Sequence, residues 1–151
     1  MKSIAQRLPL AARLVLGLIF FVFGLNGFLH FLPQPPMTGP AGAFAGALGA
    51  SGYLFPLLKG TEVLAGTLLL SGFFVPLALT LLAPVIVNIV AFHLFLAPGN
   101  YAVVGTVLVT ELFLAWSNRA AFASVLQPRA ATATATPATA SPRQRELRSA
   151  A

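Results

Sequence analysis

Residues 55–96 read FPLLKGTEVLAGTLLLSGFFVPLALTLLAPVIVNIVAFHLFL. Two apolar runs of about 20 residues each meet at a short break around Gly72 and Pro76, and about 20 apolar residues are what one α-helix needs to cross a bilayer. The first run predicts a span over about 55–74. Pro56 suits its first turn, where a missing amide is not needed. The second predicts a span over about 76–96, kinked at Pro84, which leaves the Thr80 carbonyl without its donor. Inside these runs stand Lys59, Glu62, Asn88 and His93. A charge in the bilayer interior costs several kcal/mol, so it faces a partner, a cavity or a ligand.

Two further spans flank this pair. One runs over about 10–32, with Arg13 snorkelling at its edge and Asn26 and His30 near its far end. Pro33, Pro35 and Pro36 stop it. The other runs over about 102–118, with Glu111 inside and Trp116 suited to an interfacial belt. Its helix can extend along the membrane surface to Leu126. Between the first two spans, residues 41–50 are too few to cross. They form a short outer-face helix, serving as a lid, an interfacial segment or a plain connection. The expected fold is therefore all-α, a transmembrane four-helix bundle occupying residues 1–127. From 128 to 151 the composition turns to Ala-Thr repeats and arginines, which predicts a disordered basic tail.

Composition agrees. The chain is 58% hydrophobic and 8% charged, with a mean hydropathy of +0.88, against about 25% charged residues in soluble domains. The net charge of +6 is not a nucleic-acid signature. Eight of nine basic residues lie before or at the edge of the first span or after the last, and only Lys59 lies between. Basic residues gather on the cytoplasmic side, so both termini read as cytoplasmic, which requires an even number of spans. The absence of cysteine rules out a disulfide framework, a thiol nucleophile and a Cys-ligated cluster. The first apolar stretch is longer than the roughly 7–15 residues of a signal-peptide core, and reads as an uncleaved span.

With that topology, the depths of the polar residues follow from a rise of about 1.5 Å per residue. His30 lies roughly 3 Å below the outer surface and His93 roughly 5 Å. Glu62 lies at roughly 10 Å, Asn88 at roughly 12 Å and Glu111 at roughly 14 Å. Asn26 stacks one turn below His30. If all point inward, they make a ladder from the outer surface to the midplane. Each carboxyl must be neutral, paired or hydrated, and Lys59 can pair with Glu62 at i,i+3. Plainer roles compete: the asparagines as interhelical glue, the histidines and Lys59 as headgroup contacts.

The pattern resembles the DoxX family of small four-span membrane proteins. The resemblance rests on Arg13, the stretch GLIFFVFGLNGFLHF (17–31), the segment from Lys59 to His93 with Glu62-Val63-Leu64-Ala65-Gly66 followed by Gly72, and Glu111 in the last span. It covers about residues 8–126. It implies a four-helix bundle of bacterial plasma-membrane type, and some members are associated with quinone, thiosulfate or oxidative-stress redox chemistry.

The leading expectation is a redox-associated or quinone-interacting subunit, if an enzyme then an accessory oxidoreductase component. Glu62 and Glu111 are its candidate catalytic groups. Asn26, His30, Lys59, Asn88 and His93 are its binding groups, and no metal site is expected. A carboxylate and a histidine can exchange the protons of quinone reduction. Electrons would come from a redox partner protein or a bound cofactor, since the sequence carries no flavin or nucleotide fingerprint. A b-type haem on His30 and His93 is a weaker alternative. A small proton-linked transporter, a lipid-handling protein and a structural subunit of a complex are others. The bilayer is the surrounding partner, and a homo-oligomer is compatible with so few spans.

Overall fold

The computed structural model describes residues 4–33 and 36–123, with side chains from residue 7 onward. The tail expected at 128–151 lies outside the described residues. All regular structure among those described is helical: α1 Ile4–Leu29, α2 Gly39–Ala50, α3 Leu54–Ser71, α4 Val75–Phe95, α5 Tyr101–Ser117 and α6 Arg119–Ala123. Three helices are long and apolar enough to cross a membrane, over Arg7–Leu29, Leu54–Ser71 and Val75–Phe95. The fourth, α5, has 17 residues and rises about 25 Å.

Helix α1 packs on α3, α3 on α4, α4 on α5, and α5 back on α1. The four close into a ring in which neighbours run antiparallel. Leu16, Phe20, Leu69, Leu79, Leu82, Ile86, Val107 and Leu114 fill its centre. Outward-facing side chains are apolar as well, among them Leu18, Leu64, Val87, Val109 and Leu112. Such a belt suits lipid, where the backbone must satisfy itself within helices.

Lipid tails are as apolar as leucine, so burial alone does not drive these helices together; close packing does. The α1–α3 contact is the closest. A Cβ on Gly66 would stand 2.6 Å from the Phe21 amide nitrogen and 2.9 Å from the Gly17 carbonyl oxygen. One on Gly24 would stand 2.9 Å from the Val63 nitrogen. The two backbones meet where only hydrogen fits.

Helix ends are set by local chemistry. Gly72 (φ +82°) caps α3, its amide donating to the Leu68 carbonyl at 3.0 Å, and Pro76 opens α4 after a turn through Phe73 and Phe74. The Ser51 hydroxyl donates to the Leu48 carbonyl and accepts the Leu54 amide, tying the end of α2 to the start of α3. Two boundaries of the first span differ from expectation. Helix α1 begins at Ile4, carrying Pro9 inside it, and it ends at Leu29 instead of running to residue 32. His30 takes a left-handed conformation, φ +53°, and the Asn26 side chain captures the backbone at Leu32. At the other end of the chain, α5 breaks at Asn118 and resumes as α6.

Candidate functional site

A cavity of about 970 Å³ opens between the four long helices at the end that carries α2. Phe20, Phe23, Phe55, Ile89, Val104 and Val107 form its walls, and Met37, Phe44, Ala45 and Leu48 its roof. Phe44 of α2 meets Phe92 of α4 with ring centroids 5.8 Å apart. The short helix therefore covers the cavity, as the lid reading of 41–50 expected. Most ligand cavities have this character: apolar walls with a few convergent polar groups.

Five of the residues singled out from sequence line this cavity: Asn26, His30, Lys59, Glu62 and His93. Lys59 and Glu62 are i,i+3 on α3 and share one face. Lys59 Nζ donates to both carboxylate oxygens, at 2.8 and 3.0 Å. The Glu62 side chain is 5% exposed and that of Lys59 19%. The pair can form here because Gly27 lies against the lysine stem, 2.5 Å from where a Cβ would sit. His93, in the last turn of α4, makes a 2.8 Å hydrogen bond from Nδ1 to the Ile89 carbonyl. A carbonyl only accepts, so Nδ1 carries the proton in this bond, and in the matching neutral tautomer Nε2 is the acceptor. Phe92 meets its ring edge-on at 5.4 Å.

Asn26 is buried, and its Oδ1 accepts the Leu32 amide at 2.6 Å. It locks the turn that follows α1, where interhelical glue was the plainer expectation. Asn26→Ala strands that amide and is expected to cost about 1–3 kcal/mol, measurable as lowered thermal stability in detergent. His30, in the same turn, is exposed at the cavity edge.

The other two singled-out residues lie elsewhere. Glu111 is buried, but it lines a second cavity of about 510 Å³ toward the opposite end, with Leu79, Thr80, Ala83, Trp116 and Arg119. Its Oε2 has no hydrogen-bond partner among the described residues. Val107, one turn away on α5, belongs to the first cavity, so the carboxyls occupy adjoining but separate hollows. Asn88 is exposed on the outer face of α4 and lines neither. The single ladder expected from depth is thus divided by helix rotation. His93 points into the first cavity, and Asn88, five residues earlier, sits about 140° away around the helix.

Arg13 shows a role that the sequence reading missed. It is half-buried, and its guanidinium lies against Gly72 in the α3–α4 turn, where any Cβ would overlap it. It packs beside that turn, with its Nε buried and without a hydrogen-bond partner among the described residues. The signal available was a glycine in a turn at the same depth. Among the described residues, no three His, Asp or Glu side chains gather as a metal site.

A family model described as DoxX matches residues 8–97. That range takes in α2, α3 and α4, nearly all of α1, and Asn26, His30, Lys59, Glu62 and His93 of the first cavity, while Asn100 of that cavity and Glu111 lie beyond it. No curated protein and no solved structure gives a match.

Proposed function

The chain belongs to the DoxX family of membrane proteins, and from that premise we propose that its α2-end cavity binds a quinone-type ligand for a redox partner. The observation that carries the reading is a buried Lys59–Glu62 ion pair and a histidine ring nitrogen at the polar end of a large, aromatic-lined hollow. A quinone matches that division, with an apolar ring and tail for the walls and carbonyls for the donors. Lys59 holds a third N–H for a ligand carbonyl. His93 Nε2 can accept from the hydroxyl of the reduced form. Reduction takes two electrons and two protons. The protons pass through His93 and Glu62, and the electrons come from a partner, since the chain has no cysteine and no nucleotide fingerprint. In this reading both termini are cytoplasmic, by the placement of basic residues, and the cavity opens toward the outer leaflet of a bacterial-type plasma membrane.

Equilibrium dialysis of decylubiquinone against protein in nanodiscs tests it. Wild type is expected to bind, and Glu62→Gln to bind about tenfold more weakly, since a charge-assisted hydrogen bond is worth about 1.5–3 kcal/mol. No binding by wild type, or equal binding by Glu62→Gln and His93→Ala, overturns the proposal.

One observation favours a second reading. The two carboxyl-lined cavities adjoin along α5 between Val107 and Glu111, an arrangement that suits a proton path. Proton flux in vesicles that both Glu62→Gln and Glu111→Gln abolish would select it.

A further inference from the structure

Asn88 stands on the wrong side of its helix for a polar residue. On α4, Leu77, Thr80, Pro84, Val87, Asn88 and Phe95 are all exposed. That spacing is one continuous face turned away from the buried core of the bundle; Thr80, at its edge, also lines the second cavity. Asn88 is seven residues before the end of α4 at Phe95, about 10 Å inside it. At that depth the surroundings are hydrocarbon. A carboxamide offers two donors and an acceptor oxygen, and in lipid each is costly when unmet. Asn88 makes no hydrogen bond among the described residues.

A second feature of α4 lies one turn from Asn88. Pro84 has no amide hydrogen, so the carbonyl of exposed Thr80 lacks its α-helical donor. Pro84 lies one turn before Asn88, and Ala91 lies one turn beyond it. Another helix can approach closely there.

We propose that the outer face of α4 is a homodimer interface, closed by hydrogen bonds between Asn88 and Asn88 of a second copy of this chain. Two copies inserted in the same orientation are related by a twofold axis along the bilayer normal. That axis places every residue opposite its own counterpart at equal depth. An amide is self-complementary across such an axis, each NH2 donating to the other's oxygen. A lone asparagine in an apolar seam sets register and partner number in this way. An apolar partner helix would leave the amide unmet, so it does not fit the face. The inference is independent of any ligand in the α2-end cavity.

The chain has no cysteine, so single-cysteine variants report the interface directly. Asn88→Cys, oxidised in native membranes with copper-phenanthroline, is expected to give a disulfide-linked dimer. Val109→Cys, exposed on α5, is expected to stay monomeric. Asn88→Leu exposes only another apolar side chain to lipid and leaves the bundle core untouched. In nanodiscs or liposomes its dimerisation constant, read by energy transfer between labelled copies, is expected to fall about tenfold, with Asn88→Gln recovering part of it. Asn88→Cys cross-linking no better than Val109→Cys, linking only to a different protein, or unchanged association of Asn88→Leu each overturns the proposal.

Discussion

Lys59→Met is expected to destabilise the folded protein by about 3–5 kcal/mol. The lysine ammonium is the hydrogen-bond partner of both oxygens of Glu62, at 2.8 and 3.0 Å, and the carboxyl is nearly sealed from its surroundings. Removing the lysine leaves an anion facing aromatic rings and methyl groups. The cost is that of stranding a charge and exceeds the net worth of the pair. The double variant Lys59→Met, Glu62→Leu removes both charges with apolar side chains of similar size. It should recover most of the loss while no longer holding a polar ligand. Unfolding by detergent titration in bicelles measures both. A loss below about 1 kcal/mol for Lys59→Met would mean that the pair behaves as an exposed ion pair does, and the enclosed polar end of the cavity would have to be abandoned.

The second large effect comes from a single methyl group. Gly66→Ala places a Cβ 2.6 Å from the Phe21 nitrogen and 2.9 Å from the Gly17 oxygen. Both are backbone atoms in the middle of α1, so the contact yields only if the helices separate. The expected cost is about 1–3 kcal/mol, with Glu62 and Lys59 drawn away from Gly24 and Gly27 as α3 shifts. The matched control is Gly105→Ala on α5, where a Cβ meets nothing within 4 Å. That variant should be neutral or slightly stabilising, because alanine loses less backbone entropy in a helix. Equal effects at the two glycines in the same unfolding assay would show that α1 and α3 do not touch as described.

Much of the fold was legible because a bilayer constrains sequence severely. Apolar runs near 20 residues, interrupted at prolines and glycines, marked α3 and α4 to within a few residues. Arithmetic on basic residues called for an even number of crossings; the structure has a ring of four helices, three of them long and apolar enough to cross a membrane. Errors fell at helix ends. Pro33 seemed to end α1, but the Asn26 side chain ends it earlier by binding the Leu32 amide. Nothing in the order of residues announces that bond, which depends on how the chain folds back after His30.

The site was legible in part, and the boundary is physical. Lys59 and Glu62 are three residues apart, so helix geometry alone places them on one face. The depth of each polar residue follows likewise from its distance to a helix end. Direction around the helix axis does not. Against it, the sequence already held one warning, since Asn88 and His93 on one helix cannot face the same hollow. Which of the two turns inward was decided by the packing of α4 against α3 and α5. The same packing set Glu111 in its own cavity, brought Arg13 to Gly72, and laid α2 over the mouth through Phe44 and Phe92. Sequence determined which residues fall within apolar helices and how far each stands from a helix end; only tertiary contact chose their azimuth, because hydropathy marks the helix while its rotation is settled by which small residues let neighbouring backbones touch.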